Sequence, residues 1–146
     1  MKRPKKLLGE ILVEKGIITS AQLKEALDVQ REQKLLIGEI IVKLGFAKEE
    51  DIAHCLSFQY GFPFLPLENY EIAQEAVSLI PYEFAKEYLL IPVDKLSNTL
   101  TVCMADPLNT EAIEKLKNMT SLDIRVFIST STDIKNALRK YYNNLE

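Results

Sequence analysis

Residues 8–30 read LGEILVEKGIITSAQLKEALDVQ, and 29 positions later residues 37–59 read IGEIIVKLGFAKEEDIAHCLSFQ. Seven of the 23 aligned positions are identical, and several others keep an apolar side chain. Self-similarity at a fixed offset indicates a repeated supersecondary unit. The first 60 residues are therefore predicted to contain two copies of one unit.

Each copy is predicted to be a short helix, a glycine break and a longer helix. The apolar residues of the short helix share one helical face. Gly16 and Gly45 stand where a left-handed C-terminal cap is expected, because glycine reaches positive φ without a Cβ clash. Thr19 and Gln22 predict a capping box for the first longer helix. In the second copy, acidic residues 49–51 supply the first turn of the corresponding helix.

Two glycines and two glutamines exceed what a plain helical hairpin requires. Gly9 and Gly38 lie in helical patterns, where glycine costs about 1 kcal/mol relative to alanine. Either the helices pack closely at these positions, or a ligand approaches the backbone there. Gln30 and Gln59 continue an apolar stripe with a polar amide, which is either partly exposed or directed to a ligand.

Residues 61–146 are predicted to form a small α/β domain. Pro63 and Pro66 indicate an extended connection after the repeats. The following pattern predicts an antiparallel hairpin, in which Pro92 favours an edge position, and a third strand. The predicted elements are helices over 72–79 and 82–87, the latter with Pro81 at its first position, strands over 89–93 and 99–104, a helix over 111–119 capped by Thr110, a strand over 122–128 and a final helix that is capped within residues 129–133 and ends at about 142.

The fold class that follows is α+β. Residues 1–60 are predicted to be a tandem repeat of 24-residue helical motifs. Residues 61–146 are predicted to be a small three-stranded sheet packed with helices, in which one layer of helices covers the sheet.

Composition excludes several classes of function. Hydrophobic residues make up 47% of the chain, enough for a core, and the net charge of −3 argues against a nucleic-acid partner. No apolar run approaches the roughly 18 residues of a membrane span, so a cytoplasmic protein without direct membrane insertion is expected. The basic start, Lys2, Arg3, Lys5 and Lys6, is either a solubilising tail or an attractant for phosphate or an acidic membrane surface.

No residue set for catalysis or metal binding is recognisable. The glycines lack the following Lys-Ser/Thr pair of a P-loop, and His54 is the single histidine. Cys55 and Cys103 are expected to be reduced and to act as small apolar residues. Asp106, which precedes a proline, is interpreted as turn or cap chemistry. The chain is therefore predicted to be a binding module and not an enzyme.

The repeat resembles the N-terminal domain of the ATPases that drive bacterial type II secretion and type IV pilus assembly. In that family a pair of 24-residue motifs follows the pattern Arg-Leu-Gly-x2-Leu-x3-Gly-x6-Leu-x3-Leu-x2-Gln, with a five-residue spacer. Here residues 7–30 and 36–59 match this pattern, and residues 31–35 form the spacer. Segments 79–81, 90–93 and 105–107 extend the resemblance into the second half.

The resemblance implies a site for the bacterial messenger cyclic di-GMP. Backbone amides at the motif glycines would approach its phosphates, glutamines would offer hydrogen bonds, and apolar residues would contact the guanine faces. Both motifs depart from the family pattern, because Leu7 and Leu36 replace its arginine, which would bond guanine through a planar fork. The implied site comprises Leu8, Gly9, Leu23, Leu27, Gln30, Ile37, Gly38, Ile52, Leu56 and Gln59.

Two functions remain open on this basis. The first is a regulatory and docking domain that binds the cytoplasmic part of an inner-membrane platform protein and offers a site for cyclic di-GMP, while no cofactor is required. If the chain is a fragment, the resemblance places the ATPase domain C-terminal to it. Such a domain would be cytoplasmic and held near the inner membrane by its partner. The alternative is a stand-alone cyclic di-GMP sensor attached to another output.

Overall fold

The computed structural model describes residues 7–142, so the basic residues at positions 2–6 lie outside it. Within this range the chain forms eight helices and three strands. None of these helices is long and apolar enough to span a bilayer. The elements are α1 (Leu8–Glu14), α2 (Ser20–Gln30), α3 (Ile37–Lys43), α4 (Glu49–Tyr60), α5 (Gln74–Val77), α6 (Tyr82–Tyr88), β1 (Leu90–Leu96), β2 (Thr99–Met104), α7 (Thr110–Thr120), β3 (Asp123–Ile128) and α8 (Ser131–Tyr141).

The four helices α1–α4 confirm the predicted repeat, since α3 begins and ends 29 residues after α1. Both break glycines are left-handed, with φ of 76° at Gly16 and 80° at Gly45. The predicted capping box is present: the N–H of Gln22 donates to Thr19 Oγ1 at 3.1 Å, and the N–H of Thr19 donates to Gln22 Oε1 at 2.9 Å. The N-cap of α4 is Lys48, which provides no side-chain cap.

The three strands form one mixed sheet in the order β1-β2-β3. Strands β1 and β2 pair antiparallel, as predicted. Pro92, which has no backbone N–H to donate, lies on the outer strand β1, so every residue of the central strand keeps its donor. Strand β3 pairs parallel to β2, so α7 is the crossover connection between them. The combination of helical repeat and mixed sheet confirms the α+β class.

Three local predictions were wrong in detail. The helix expected over 72–79 is the single turn α5, because the N–H of Ala73 donates to the Val93 carbonyl of β1 instead of entering a helix. Asn109 caps α7 in place of Thr110, since its Oδ1 accepts the N–H of Ala112 at 3.1 Å. Pro81 is the N-cap of α6 and not its first helical residue.

Two apolar clusters form the core. One lies in the sheet and its helices, and the other fills the tandem helices. The second cluster also contains Leu108 and Ile128 from the C-terminal half, so the two halves share buried surface. The division of the chain at residue 60 therefore stays a prediction.

Polar contacts also join the halves through α8. Lys135 Nζ lies 2.7 Å from the Glu39 carboxylate of α3. The Glu49 carboxylate of α4 accepts the Thr132 N–H at 2.6 Å and the Thr132 hydroxyl at 2.7 Å. Both carboxylates belong to the second repeat copy, which is thereby fastened to the C-terminal half.

Candidate functional site

A cavity of about 880 Å³ opens between the first repeat copy and the start of α7. Its volume lies within the range of small-molecule sites, which are mostly apolar with a few directed polar groups. Its apolar lining combines repeat residues with one residue of the loop before α7: Leu7, Leu8, Leu23, Leu27, Ile37 and Leu108. This surface can receive the flat apolar face of a ligand.

The polar lining of the cavity is acidic. It includes the carboxylates of Glu10, Asp106, Glu111 and Glu114, and no lysine or arginine is among the described residues that line it. Glu111 is paired with Lys115, which lies just outside, at 3.0 Å. Carboxylates accept hydrogen bonds and repel anions, so the lining favours ligand groups that donate and disfavours bare phosphates.

Asp106 is the most buried of these carboxylates. Burial raises the pKa of its carboxyl group above the ordinary value, and the hydrogen bond that Oδ1 accepts from the N–H of Leu108, at 3.1 Å, opposes this rise. The bond to residue 108 is the turn contact predicted for an aspartate before a proline. Asp106 also lines a smaller, water-sized cavity beside the second repeat copy, so it stands between the two copies.

The N-terminus of α7 faces the same cavity through Asn109 and Thr110. The first turn of a helix carries unpaired N–H groups and the positive end of the helix dipole, which favour an anion. Asn109 already accepts one of these N–H groups, from Ala112. The start of α7 is thus an element of the described lining that attracts negative charge.

The structure brings six of the ten predicted site residues to the large cavity: Leu8, Gly9, Leu23, Leu27, Gln30 and Ile37. The other four lie elsewhere. Gly38 and Ile52 line the smaller cavity, Leu56 is fully buried in the repeat core, and Gln59 is exposed on α4. The two copies share a fold but not an environment, because five of these six residues belong to the first copy and one, Ile37, belongs to the second.

The motif glycines are explained by helix packing. A Cβ added to Gly9 would lie 2.5 Å from Cδ1 of Leu23, and one added to Gly38 would lie 3.2 Å from Cδ2 of Leu8. The groups that approach the backbone in this structure are therefore leucine methyls. Gln30 has a structural bond as well, since its Nε2 donates to the Leu35 carbonyl at 3.1 Å and closes the spacer between the copies.

The two leucines at the family's arginine position differ in their surroundings. Each is an N-cap whose N–H donates to the glutamate three residues later, at 3.1 Å for Leu7 and 3.4 Å for Leu36. Leu7 is 59% exposed at the large cavity, whereas Leu36 is half-buried and packs against the core of the C-terminal half. An arginine at position 7 would reach this cavity, whereas Leu36 lines a different cavity of about 870 Å³ formed with α6 and α8.

Sequence reasoning missed the contribution of α7 to the cavity. Asp106 was considered only as a turn residue, while Leu108, Glu111 and Glu114 were not considered as site residues at all. The available signal was the cap at the start of α7, since helix starts recur at ligand sites. What placed this start opposite the first repeat copy is tertiary packing of Leu108 into the repeat core.

The remaining reactive groups have structural roles. Burial raises the pKa of the Cys103 thiol to about 12, and it also raises the pKa of the half-buried Cys55. Neither thiol is thus activated as a nucleophile. His54 is exposed and lies edge-on to Phe64, and residues 7–142 contain no group of three histidine, cysteine or acidic side chains placed to hold a metal ion.

Comparison with known proteins gives consistent matches. The MshEN domain family matches residues 60–146, more than half of the chain. The type IV pilus assembly ATPase PilB of Myxococcus xanthus is 33% identical over 135 residues, which cover 92% of this chain and 24% of that protein. The chain thus spans about a quarter of the length of this curated relative.

Solved structures agree with this match. The structure of MshE with cdg aligns with a TM-score of 0.71 and 29% identity, over 94% of this chain and all of that one. The N-terminal domain of XpsE aligns with a TM-score of 0.77 over 96% of this chain and 98% of the other, and at 20% identity it supports the fold alone. By its family match, its relatives and its fold, the chain belongs to the MshEN domain family.

Proposed function

We propose that this chain is the non-catalytic regulatory and docking domain of a bacterial type IV pilus assembly or type II secretion ATPase. The observation that carries the proposal is the similarity to a pilus assembly ATPase over nearly the whole of this chain but only a quarter of the relative. A domain with no recognisable catalytic set and a cavity of ligand size supports a role in binding. The ATPase activity would reside in a C-terminal domain.

The partner in this proposal is the cytoplasmic part of an inner-membrane platform protein, which would hold the ATPase at the membrane face. The test is co-purification of the ATPase that carries this chain with that part of its platform protein. Removal of residues 1–146 should abolish co-purification while ATP hydrolysis by the remaining domain continues. Retention of the platform protein after this deletion would refute the docking role.

Cyclic di-GMP is the ligand that we propose for the large cavity. The leucine and isoleucine lining would contact the guanine faces, and the carboxylates would accept hydrogen bonds from the N–H donors of the guanine edge. The phosphates would lie toward the start of α7. Structural likeness to MshE with cdg supports this choice of ligand.

The chain's own residues make this binding weak. The phosphates would share the cavity with four carboxylates, which repel them, and Leu7 provides no guanidinium at its mouth. Loss of one charged contact typically costs about 1.5–3 kcal/mol, or roughly 10–150-fold in affinity. Docking is therefore proposed as the main role, with the ligand as a modulator. Downstream sequence without a P-loop would instead favour a sensor attached to another output.

A further inference from the structure

Strand β3 leaves part of its outer edge unpaired. The N–H of Asp123 donates to the Asn98 carbonyl beside β2, so Asp123, Arg125 and Phe127 direct their backbone groups toward β2. The alternate residues, Ile124, Val126 and Ile128, therefore direct theirs outward. An outward row of unpaired N–H and C=O groups is a template for another strand.

The free part of this edge has two defined ends. At one end, Ile128 already donates to the Pro63 carbonyl and accepts from the Leu65 N–H, both at 2.9 Å. At the other end, the backbone of Ser121 is left-handed, with φ of 58°, where the chain leaves α7 and enters β3. The open edge thus runs from the Leu122 carbonyl to Val126 and is centred on Ile124, since the N–H of Leu122 already donates to Thr120 Oγ1 at 3.2 Å. Within residues 7–142 the backbone groups of Ile124 and Val126 have no partner outside the ladder to β2.

The side chains along this edge are self-complementary. Asp123 and Arg125 are both exposed, and neither forms an ion pair with another described residue; Arg125 rests on the Phe127 ring at 5.2 Å. In an antiparallel pair of two such edges centred on Ile124, Asp123 of each copy would lie opposite Arg125 of the other. Opposite charges directly across two strands stabilise the pair, whereas like charges destabilise it.

We propose that two copies of this chain join through their β3 edges, antiparallel about Ile124, into one six-stranded sheet. Ile124 would exchange both hydrogen bonds with its counterpart, and the N–H of Val126 would donate to the Leu122 carbonyl of the second copy. Centring on Arg125 would set the two Arg125 side chains directly opposite each other, and like charges across two strands destabilise the pair. Centring on Val126 is excluded because it requires Ile128, whose groups are already bonded.

The contact is short, so the dimer is weak in isolation. It contains about four hydrogen bonds between the copies, and a small interface of this kind gives transient association. An assembly that holds several copies close together would raise their effective concentration and favour the pair.

Sedimentation velocity from about 10 µM to about 1 mM chain tests the proposal, since this range brackets weak complexes. The unaltered chain should pass from monomer to dimer. Arg125→Glu, which sets Asp123 against a second acid, should raise the dissociation constant about tenfold or more. Asp123→Lys combined with Arg125→Glu reverses both charges and should restore the dimer. Lys24→Glu, the same charge change on an exposed position of α2, should leave association unchanged.

A chain that stays monomeric at every concentration, or a dimer whose dissociation constant is unchanged by Arg125→Glu, would overturn the proposal.

Cross-linking gives a second measurement that does not depend on affinity. In a Cys55→Ser background, copies carrying Asp123→Cys are mixed with copies carrying Arg125→Cys and mildly oxidised. A disulfide between unlike copies, and none when either variant is alone, is the expected result. Equal cross-linking in all three samples would contradict the register.

Discussion

Glu49 is expected to stabilise the chain by joining its two halves. Its carboxylate accepts two hydrogen bonds from Thr132 in the first turn of α8, from the N–H at 2.6 Å and from the hydroxyl at 2.7 Å. Glu49→Ala removes both bonds and the negative charge at the start of α8. The substitution should therefore lower the free energy of unfolding of the whole chain.

The magnitude follows from the type and exposure of these bonds. Hydrogen bonds to charged groups contribute about 1.5–3 kcal/mol when buried, and a carboxylate at a helix start contributes about 0.3–1 kcal/mol. Thr132 is exposed and Glu49 half-buried, so solvent screening reduces the first figure. A loss of about 1–2 kcal/mol is expected, equivalent to a melting temperature lower by roughly 3–8 °C.

Thermal unfolding followed by circular dichroism measures this loss, with Glu50→Ala as the matched control. Glu50 is exposed in the same first turn of α4 and carries the same charge, but none of the described hydrogen bonds joins it to α8. Glu50→Ala should change the melting temperature by a degree or two at most. Equal losses for both variants would refute the idea that Glu49 joins the halves.

Two further predictions concern buried polar groups. Tyr142→Phe should cost about 1–2 kcal/mol in denaturant unfolding, because the Tyr142 hydroxyl donates to the Ile80 carbonyl at 2.8 Å and lies 3.1 Å from that of Val77; an unchanged midpoint would contradict this. Asp106→Asn should raise the free energy of unfolding at neutral pH. Burial raises the pKa of Asp106 in the folded chain, so the folded state loses stability as pH rises and this carboxyl group ionises. The gain should vanish below the ordinary pKa of 3.8, and a gain independent of pH would point to another cause.

The helical repeat was predictable because its signals are local. Apolar spacing, the left-handed glycines and the Thr19–Gln22 box each act within one or two turns, and all are present as expected. The helix over 72–79 failed for the opposite reason. Its residues have a helical apolar pattern, but pairing of Ala73 with Val93 satisfies the backbone through a residue 20 positions away.

The candidate site was predictable only in part. The motif pattern identified six residues that line one cavity, five from the first copy and one, Ile37, from the second. It treated the copies as equivalent, although Gln59 is exposed and Leu56 is fully buried. Their different roles follow from which copy packs beside α7 and which is bound to α8. That choice depends on contacts between distant parts of the chain, which a repeat pattern does not contain.

Calorimetric titration with cyclic di-GMP tests most directly whether the first repeat copy and α7 form a ligand site. The unaltered chain is expected to bind weakly, and GTP at the same concentrations serves as the control ligand. Leu7→Arg should tighten binding about tenfold or more, because position 7 opens onto the cavity. Leu36→Arg should bring no gain, because position 36 does not line this cavity. No binding by any of the three proteins, or equal gains from both substitutions, would contradict a site at this cavity.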